Sequence, residues 1–274
     1  MTDVISTDTN PELAAQAVQA MIAPDTPQAP TIPTPEPGFF PLPGGLVRTL
    51  GSAAQKDAEV RELTGEDEEY VDRVKRGNPG KAYEALIERG LVSVGGEPLS
   101  KGDLREMLLA DAEKCLIEIR RSTYGEDLEF EGLTCPHCNE VFDLNLSLDD
   151  IPIIPLDRSE DRFFDVNLRK GAVAHVRLPR LADIVETEGL TPSEYNTLLL
   201  ANLVLSIDKG GERKPVAGNP DAARSLGLAD REAILLELNK RKVGPNWAAT
   251  KFVHGTCGEE VPFPLAVGDL FPSL

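Results

Sequence analysis

Hydrophobic and polar residues alternate near the middle of the chain, where Phe142, Leu144, Leu146 and Leu148 occupy every second position. This spacing is typical of a β-strand with one buried face. The TGED sequence that starts at Thr64 has the pattern of a helix-opening capping box. The first part of the chain is therefore predicted to begin with a hairpin of strands 46–50 and 58–63. Helices follow from residue 64 onward, over 82–89 and over 100–120, and a second hairpin pairs strands 128–133 and 140–148.

The same order of elements is predicted a second time. A hairpin (163–168 with 174–179) precedes a helix capped by Thr191, Pro192 and Glu194, whose sequence contains the apolar run LLLANLVL. The remaining elements of this second copy are a helix over 231–242, a strand around TKFVH and a strand in EEVPFPLAV.

Two long segments, 114–146 and 233–265, align with each other nearly without gaps. The spacing agrees as well, since Arg61 and Cys135 are 74 positions apart (135 − 61) and Arg177 and His254 are 77 apart (254 − 177). We infer an internal duplication, with copies at 45–158 and 159–274. Chance recurrence of a short α/β pattern is the alternative.

The first 44 residues differ from the rest of the chain. Asn10 and Pro11 form a helix start, followed by apolar residues at a spacing of four. Eight prolines then occur between residues 24 and 43, a density that favours an extended polyproline arm. Residues 1–44 are either a disordered leader or an arm that orders along a neighbouring subunit. The adjacent Phe39 and Phe40 favour the arm.

Charge and hydropathy limit the classes of partner and the cellular location that we expect for this protein. The 274 residues carry 28 Lys and Arg against 46 Asp and Glu, a formal net charge of −18. Such an acidic surface repels phosphate backbones and anionic lipids, so we expect neither nucleic acid nor membrane as a partner. There is no run of eighteen apolar residues, and the first ten lack the features of a signal peptide. We therefore expect synthesis in the cytoplasm, where paired cysteines indicate metal binding rather than a disulfide.

Two short motifs supply metal-ligand chemistry. Cys135-Pro-His-Cys138 lies between two predicted strands, and the duplication aligns it with His254-Gly-Thr-Cys257. Three thiolates and one imidazole form a complete zinc ligand set without an open position, which is typical of a structural site. The sequence therefore predicts one zinc ion held by Cys135, Cys138, His254 and Cys257, joining the hairpins of both copies. His137 is an alternative ligand to His254.

Other chemically reactive residues have simpler interpretations. Cys115 shares an apolar helix face with Leu108, Ala112 and Ile119, so we expect a buried thiol. His175 lies on a strand and is expected to be exposed or hydrogen-bonded. A thioredoxin-like role for the CxxC motif is disfavoured, because that motif opens a helix and a strand is predicted here. The acidic runs GEDEE and SLDDI are interpreted as a helix start and a solvated loop.

Several of these segments resemble the T-even-type bacteriophage baseplate hub family, over about residues 46–274. The resemblance rests on RELTGEDEE, on TCPHC followed by NEVFDLNLSL, and on the terminal GTCGEEVPFPLAVGDLFPSL with its short aromatic tail. In this sequence His254 replaces the usual first cysteine of the second motif. The resemblance implies a protein of the virion tail, either of its hub or baseplate or an assembly factor for it, without enzymatic activity.

The sequence as a whole predicts an α+β protein. We expect two tandem units related by a pseudo-two-fold axis, each made of a hairpin, helices and a second hairpin. The turn of each second hairpin carries one metal-ligand motif, Cys135–Cys138 or His254–Cys257, and is called a knuckle. We also expect a shared zinc-ribbon-like site and an extended N-terminal arm. The expected function is that of a structural baseplate component, present in multiple copies and bound to other tail proteins. The alternatives are an assembly factor absent from the virion and a zinc-ribbon protein that binds nucleic acid or regulates transcription. A zinc hydrolase is disfavoured because neither an open metal position nor a general base is evident.

Overall fold

A computed structural model of the chain describes residues 38–49, 51–75, 81–184 and 190–271. The predicted helix after Asn10 and most of the proline-rich segment lie outside the described residues. Those described belong to one unit, Glu36–Leu274.

The described residues form seven helices and thirteen strands, a mixed α+β fold with several small antiparallel sheets. The helices are α1 Gly65–Lys75, α2 Lys81–Gly90, α3 Lys101–Glu106, α4 Leu109–Tyr124, α5 Pro192–Leu203, α6 Pro220–Arg224 and α7 Leu228–Lys240. The strands are β1 Gly38–Leu46, β2 Gln55–Val60, β3 Leu91–Val94, β4 Asp127–Thr134, β5 Val141–Ser147, β6 Ile153–Ile154, β7 Phe163–Asn167, β8 Val173–Arg177, β9 Val204–Lys209, β10 Glu212–Pro215, β11 Gly244–Pro245, β12 Lys251–Val253 and β13 Glu260–Pro262. None of these helices is both long and apolar enough to cross a bilayer.

The first sheet, of order β1-β2-β3, begins earlier than the sequence suggested. Residues 38–44, which had been assigned to the arm, lie in β1, and the predicted strand 46–50 is displaced to Gly38–Leu46. Phe40 and Leu42 are buried, whereas Phe39 is 76% exposed, as expected when successive side chains point to opposite faces. The Phe-Phe pair therefore anchors a strand through one ring and exposes the other.

Two predicted helices differ from expectation, one by a break and one by an early end, because their backbone pairs elsewhere. The helix predicted for 100–120 is broken into α3 and α4 at Met107 and Leu108. Here Met107 C=O accepts a hydrogen bond from Leu181 N–H, and Leu109 N–H donates to Pro179 C=O. The apolar run LLLANLVL divides between α5 and β9, since β9 from Val204 pairs with β8 in the sheet β10-β9-β8-β7.

The hydrophobic core does not divide at residue 158. One large cluster combines the first sheet, α4 and the β4–β5 hairpin with C-terminal side chains such as Leu265, Leu270 and Phe271. A separate cluster lies between the second sheet and α5–α7, with Val176, Leu200 and Ile234 among its buried members. The chain after α7 thus returns to complete the first core, which brings its second knuckle close to the first.

The sheets β1-β2-β3 and β10-β9-β8-β7 each have an arginine–aspartate pair near the end of their second strand in chain order. Arg61, after β2, donates two hydrogen bonds of 2.8 and 3.0 Å to Asp67. Arg177, at the end of β8, donates two bonds of 2.5 and 2.9 Å to Asp183. Both aspartates are buried and stand six positions after their arginine.

Candidate metal centre

The first knuckle is the tight turn between β4 and β5. Cys135 N–H donates to Glu140 C=O at 2.9 Å, and Asn139 N–H donates back to Cys135 C=O at 2.9 Å. Asn139 adopts a φ of 60°, a left-handed conformation that asparagine tolerates better than most residues. These two hydrogen bonds close the turn that contains Cys135 and Cys138.

The second knuckle, between β12 and β13, has the same backbone. His254 N–H donates to Glu259 C=O at 2.9 Å, and Gly258 N–H donates to His254 C=O at 2.8 Å. Gly258 has a φ of 71° at the position equivalent to Asn139. The two turns thus present His254 and Cys257 as the counterparts of the two cysteines.

The structure brings the four predicted ligands together. The ligand atoms of Cys135, Cys138, His254 and Cys257 all lie within 4.8 Å of one another, a cluster that could hold a metal ion. The Cys135 and Cys257 sulfurs are 3.8 Å apart. His254 Nδ1 lies 3.5 Å from the Cys138 sulfur and 3.2 Å from the Cys257 sulfur.

The separations of 3.8, 3.5 and 3.2 Å are close to those of tetrahedral coordination, whereas the widest separation in the cluster, up to 4.8 Å, is longer. With Zn–S bonds of about 2.3 Å and Zn–N bonds of about 2.0 Å, neighbouring ligand atoms lie about 3.8 Å apart for two sulfurs and about 3.6 Å apart for sulfur and nitrogen. Four protein ligands fill such a site, so the donor set fits a closed, structural centre.

The centre is buried on one side and open on the other. Cys135 and His254 are 0% and 3% exposed, whereas Cys138 is exposed. Burial by itself raises the pKa of the Cys135 thiol, but hydrogen bonds from the backbone N–H groups of Cys138 and His137 outweigh it and lower that pKa. The turn therefore favours the thiolate of Cys135, and the thiolate is the form that binds a metal. For Cys138, a hydrogen bond from the Glu140 backbone lowers the pKa, but partial desolvation and the side chains of the other two cysteines outweigh it and raise that pKa.

Aromatic side chains pack the two hairpins together beside the centre. The ring centroids of Phe130 and Phe263 are 4.8 Å apart, and those of Phe142 and Phe252 are 5.4 Å apart. Phe142 also contacts the His254 ring, at 4.6 Å between centroids. The hairpin contact is thus partly apolar, and the metal ligands lie at its end.

The other candidates from the sequence are placed as follows. His137 lies outside the four-residue cluster and is exposed. Cys115 is 0% exposed, which confirms the buried thiol, and burial raises its pKa well above the ordinary value. SLDDI contains a short 3₁₀ turn capped by Ser147. The structure also has two double-glycine turns with positive φ, Gly95-Gly96 and Gly210-Gly211.

His175 belongs to a charged ladder across the second sheet. Its Nδ1 lies 2.6 Å from Asp165 on β7, and its Nε2 lies 3.1 Å from Asp208 on β9. Arg213 on β10 binds Asp208 in turn. The sequence signalled only the strand position, and it is the cross-strand register that supplies both carboxylates.

This ladder predicts a pH-dependent contribution to stability. Hydrogen bonds to Asp208 and Asp165 raise the pKa of His175. The stabilisation by protonated His175 should therefore be complete below its unfolded pKa, about 6.5, and be lost as the pH rises through the higher folded pKa. Chemical denaturation between pH 5 and 9 should show this loss in wild type. His175→Gln should remove this component, and an unchanged pH profile would contradict the assignment.

Comparison with known proteins identifies the family. A family model described as T4 bacteriophage base plate protein matches residues 55–221, more than half of the chain, and the chain belongs to this family. Membership implies a location in the virion tail and interaction with other phage tail proteins. No curated protein and no solved structure matches the chain. The matched region contains Cys135 and Cys138 and ends before His254.

Proposed function

We propose that this baseplate protein is a structural, non-enzymatic component of the tail hub, in which one zinc ion fixes the contact between its two knuckle hairpins. The observation that carries the proposal is the four-ligand cluster in a chain of the baseplate family. A set of three cysteines and one histidine suits zinc, because thiolate and imidazole are its preferred protein ligands. When bound, zinc supplies cross-linking in place of a disulfide.

The closed ligand set supports a structural role. Catalytic zinc usually keeps one position for water or substrate, whereas this cluster offers four protein ligands close to one another. The ligands come from two turns that are 116 positions apart in the chain (254 − 138). Holding these distant segments in one geometry suits a subunit that must present a fixed surface to its neighbours.

The two halves further support an internal duplication. Both contain a hairpin, a buried Arg–Asp pair, a helix, a third strand, a double-glycine turn and a knuckle hairpin, in that order. The matching backbone hydrogen bonds of the two knuckles also support the duplication. We propose that the zinc lies near the pseudo-two-fold axis relating the hairpins, and that the return of the C-terminal hairpin to the first core reflects this pairing.

The partners that we propose are other tail subunits in a symmetric, multi-copy assembly. A net charge of −18 favours binding to a partner protein with a basic surface and opposes binding to nucleic acid or an anionic membrane. Quantitative mass spectrometry of purified virions tests the assignment. A fixed number of copies per tail would support a permanent component. Presence in assembly intermediates but absence from finished virions would indicate an assembly factor instead.

The segment before β1 is predicted to act in assembly rather than in folding. We expect a chain that starts at Glu36 to fold, bind zinc and remain soluble, but not to enter tails. A chain that starts at Leu46 should fail to fold, because it lacks β1 with its buried Phe40 and Leu42. Circular dichroism measures whether each shortened chain folds, and complementation of a phage lacking the gene measures whether it enters tails. Normal tail yield from the chain starting at Glu36 would show that the segment is dispensable.

A further inference from the structure

The His254 imidazole is held by the opposite hairpin as well as by its own turn. Its Nδ1 faces the sulfurs of Cys138 and Cys257. Its other nitrogen, Nε2, lies 4.0 Å from Glu140 Oε2. The His254 side chain is only 4% exposed, so few water molecules can reach Nε2, and the Glu140 carboxylate is the acceptor placed beside it.

Two side chains of the same strand end approach this imidazole. Glu140 and Phe142 are separated by one residue, so they project from the same face of the strand. Phe142 packs against the imidazole ring, while the Glu140 carboxylate lies beside its Nε2 edge. The Glu140 side chain is 46% exposed, which leaves it room to close the 4.0 Å separation to a hydrogen bond.

We propose that Glu140 is a positioning residue for the metal centre, accepting a hydrogen bond from His254 Nε2–H and so directing the lone pair of Nδ1 to the metal. The proposal rests on the metal site put forward above. Fixing the tautomer matters because a neutral imidazole has only one nitrogen free to bind a metal. An outer carboxylate also makes the ligating nitrogen more basic.

The duplicated knuckle provides a matched control. Glu259 occupies the position equivalent to Glu140, since its carbonyl accepts the His254 N–H just as the Glu140 carbonyl accepts the Cys135 N–H. Across the centre, the counterpart of His254 is Cys135, whose sulfur has no second donor to orient. The two glutamates are therefore alike in their backbone contacts and differ in the ligand that they could orient.

The test measures zinc affinity of the full chain by competition with a chromophoric chelator, and ligand geometry by the visible spectrum of the Co²⁺ form. Glu140→Ala should weaken zinc binding about tenfold and alter the Co²⁺ spectrum. Glu140→Gln, which keeps an acceptor oxygen, should restore much of the affinity. Glu259→Ala should leave both measurements unchanged.

The decisive comparison uses the His254→Cys background, which retains four ligands but has no Nε2–H. There, Glu140→Ala should have no effect on zinc affinity. An equal loss in both backgrounds, or no loss in either, would overturn the positioning role. Wild-type protein that binds neither Zn²⁺ nor Co²⁺ would instead overturn the metal site itself, so the two failures are distinguishable.

Discussion

Replacing Cys135 by serine is expected to abolish zinc binding and to lower the melting temperature more than any surface substitution. Cys135 is the most buried of the ligands and lies 3.8 Å from the Cys257 sulfur. Ligands that form a site only in the folded state convert binding free energy into folding free energy. Free zinc at a thousand times its dissociation constant stabilises the native state by about 4.1 kcal/mol, which for a chain of this size corresponds to roughly 8–16 °C.

A shared site makes further predictions for combinations of variants. Cys135→Ser and Cys257→Ser should each remove the single zinc ion, and the double variant should have no lower metal content than either. His254→Cys should retain zinc, because thiolate replaces imidazole in a four-coordinate set. Metal analysis and thermal unfolding with and without chelator measure these outcomes.

Cys115→Ala is the matched control for loss of a thiol. Cys115 is fully buried but lies outside the cluster, so its removal should lower stability slightly and leave one zinc per chain. Half the zinc remaining in Cys135→Ser would indicate two independent sites and contradict the shared centre.

Replacing Asp67 by alanine is expected to cost about 3–5 kcal/mol, the usual penalty for removing one partner of a buried ion pair. Asp67 is 0% exposed and binds both Arg61 and Arg89. It also accepts the Thr64 N–H at 2.9 Å at the start of α1. The variant would leave two half-buried guanidinium groups and a helix end without their acceptor.

The same carboxylate predicts a specific acid sensitivity. Burial raises the pKa of Asp67, but hydrogen bonds from Arg61, Thr64 and Arg89 outweigh it and hold that pKa well below the ordinary value. Its contribution is therefore present above the unfolded pKa of about 3.9 and is lost as the pH falls through the lower folded value. Urea unfolding at pH 7 and at pH 2–4 should show the difference between wild type and Asp67→Ala shrinking in acid.

Two further variants separate this effect from a general loss of charge. Asp72→Ala removes a half-exposed carboxylate from the same helix and should change stability by less than about 0.5 kcal/mol. Asp183→Ala removes the equivalent buried group of the second sheet and should be destabilising like Asp67→Ala. A small effect at Asp67 would show that its arginines are adequately hydrated and that the pair contributes little.

Local sequence determined those elements whose hydrogen bonds are local. The helices predicted to start at residue 100 and at Thr191 begin there, because the side chains of Ser100 and Thr191 each accept a hydrogen bond from the backbone N–H three residues ahead. The alternation around Phe142 predicted strand β5 correctly, since its hydrogen-bonding partner β4 precedes it by only a short turn. Strand β1 could not be found in this way, since Pro41 and Pro43 favour an isolated extended segment and only its pairing with β2 makes it part of a sheet.

The candidate site was determined partly by sequence and partly by tertiary structure. Residue type and the repeated spacing were enough to select Cys135, Cys138, His254 and Cys257, because ligand chemistry and turn geometry are encoded locally. The position of Glu140 beside His254 could not be predicted from the sequence, because that contact joins turns more than a hundred positions apart. The sequence thus specified which atoms could bind a metal. Only the return of the C-terminal hairpin to the first core, stabilised by burial of apolar side chains such as Leu270 and Phe271, brings them to one point.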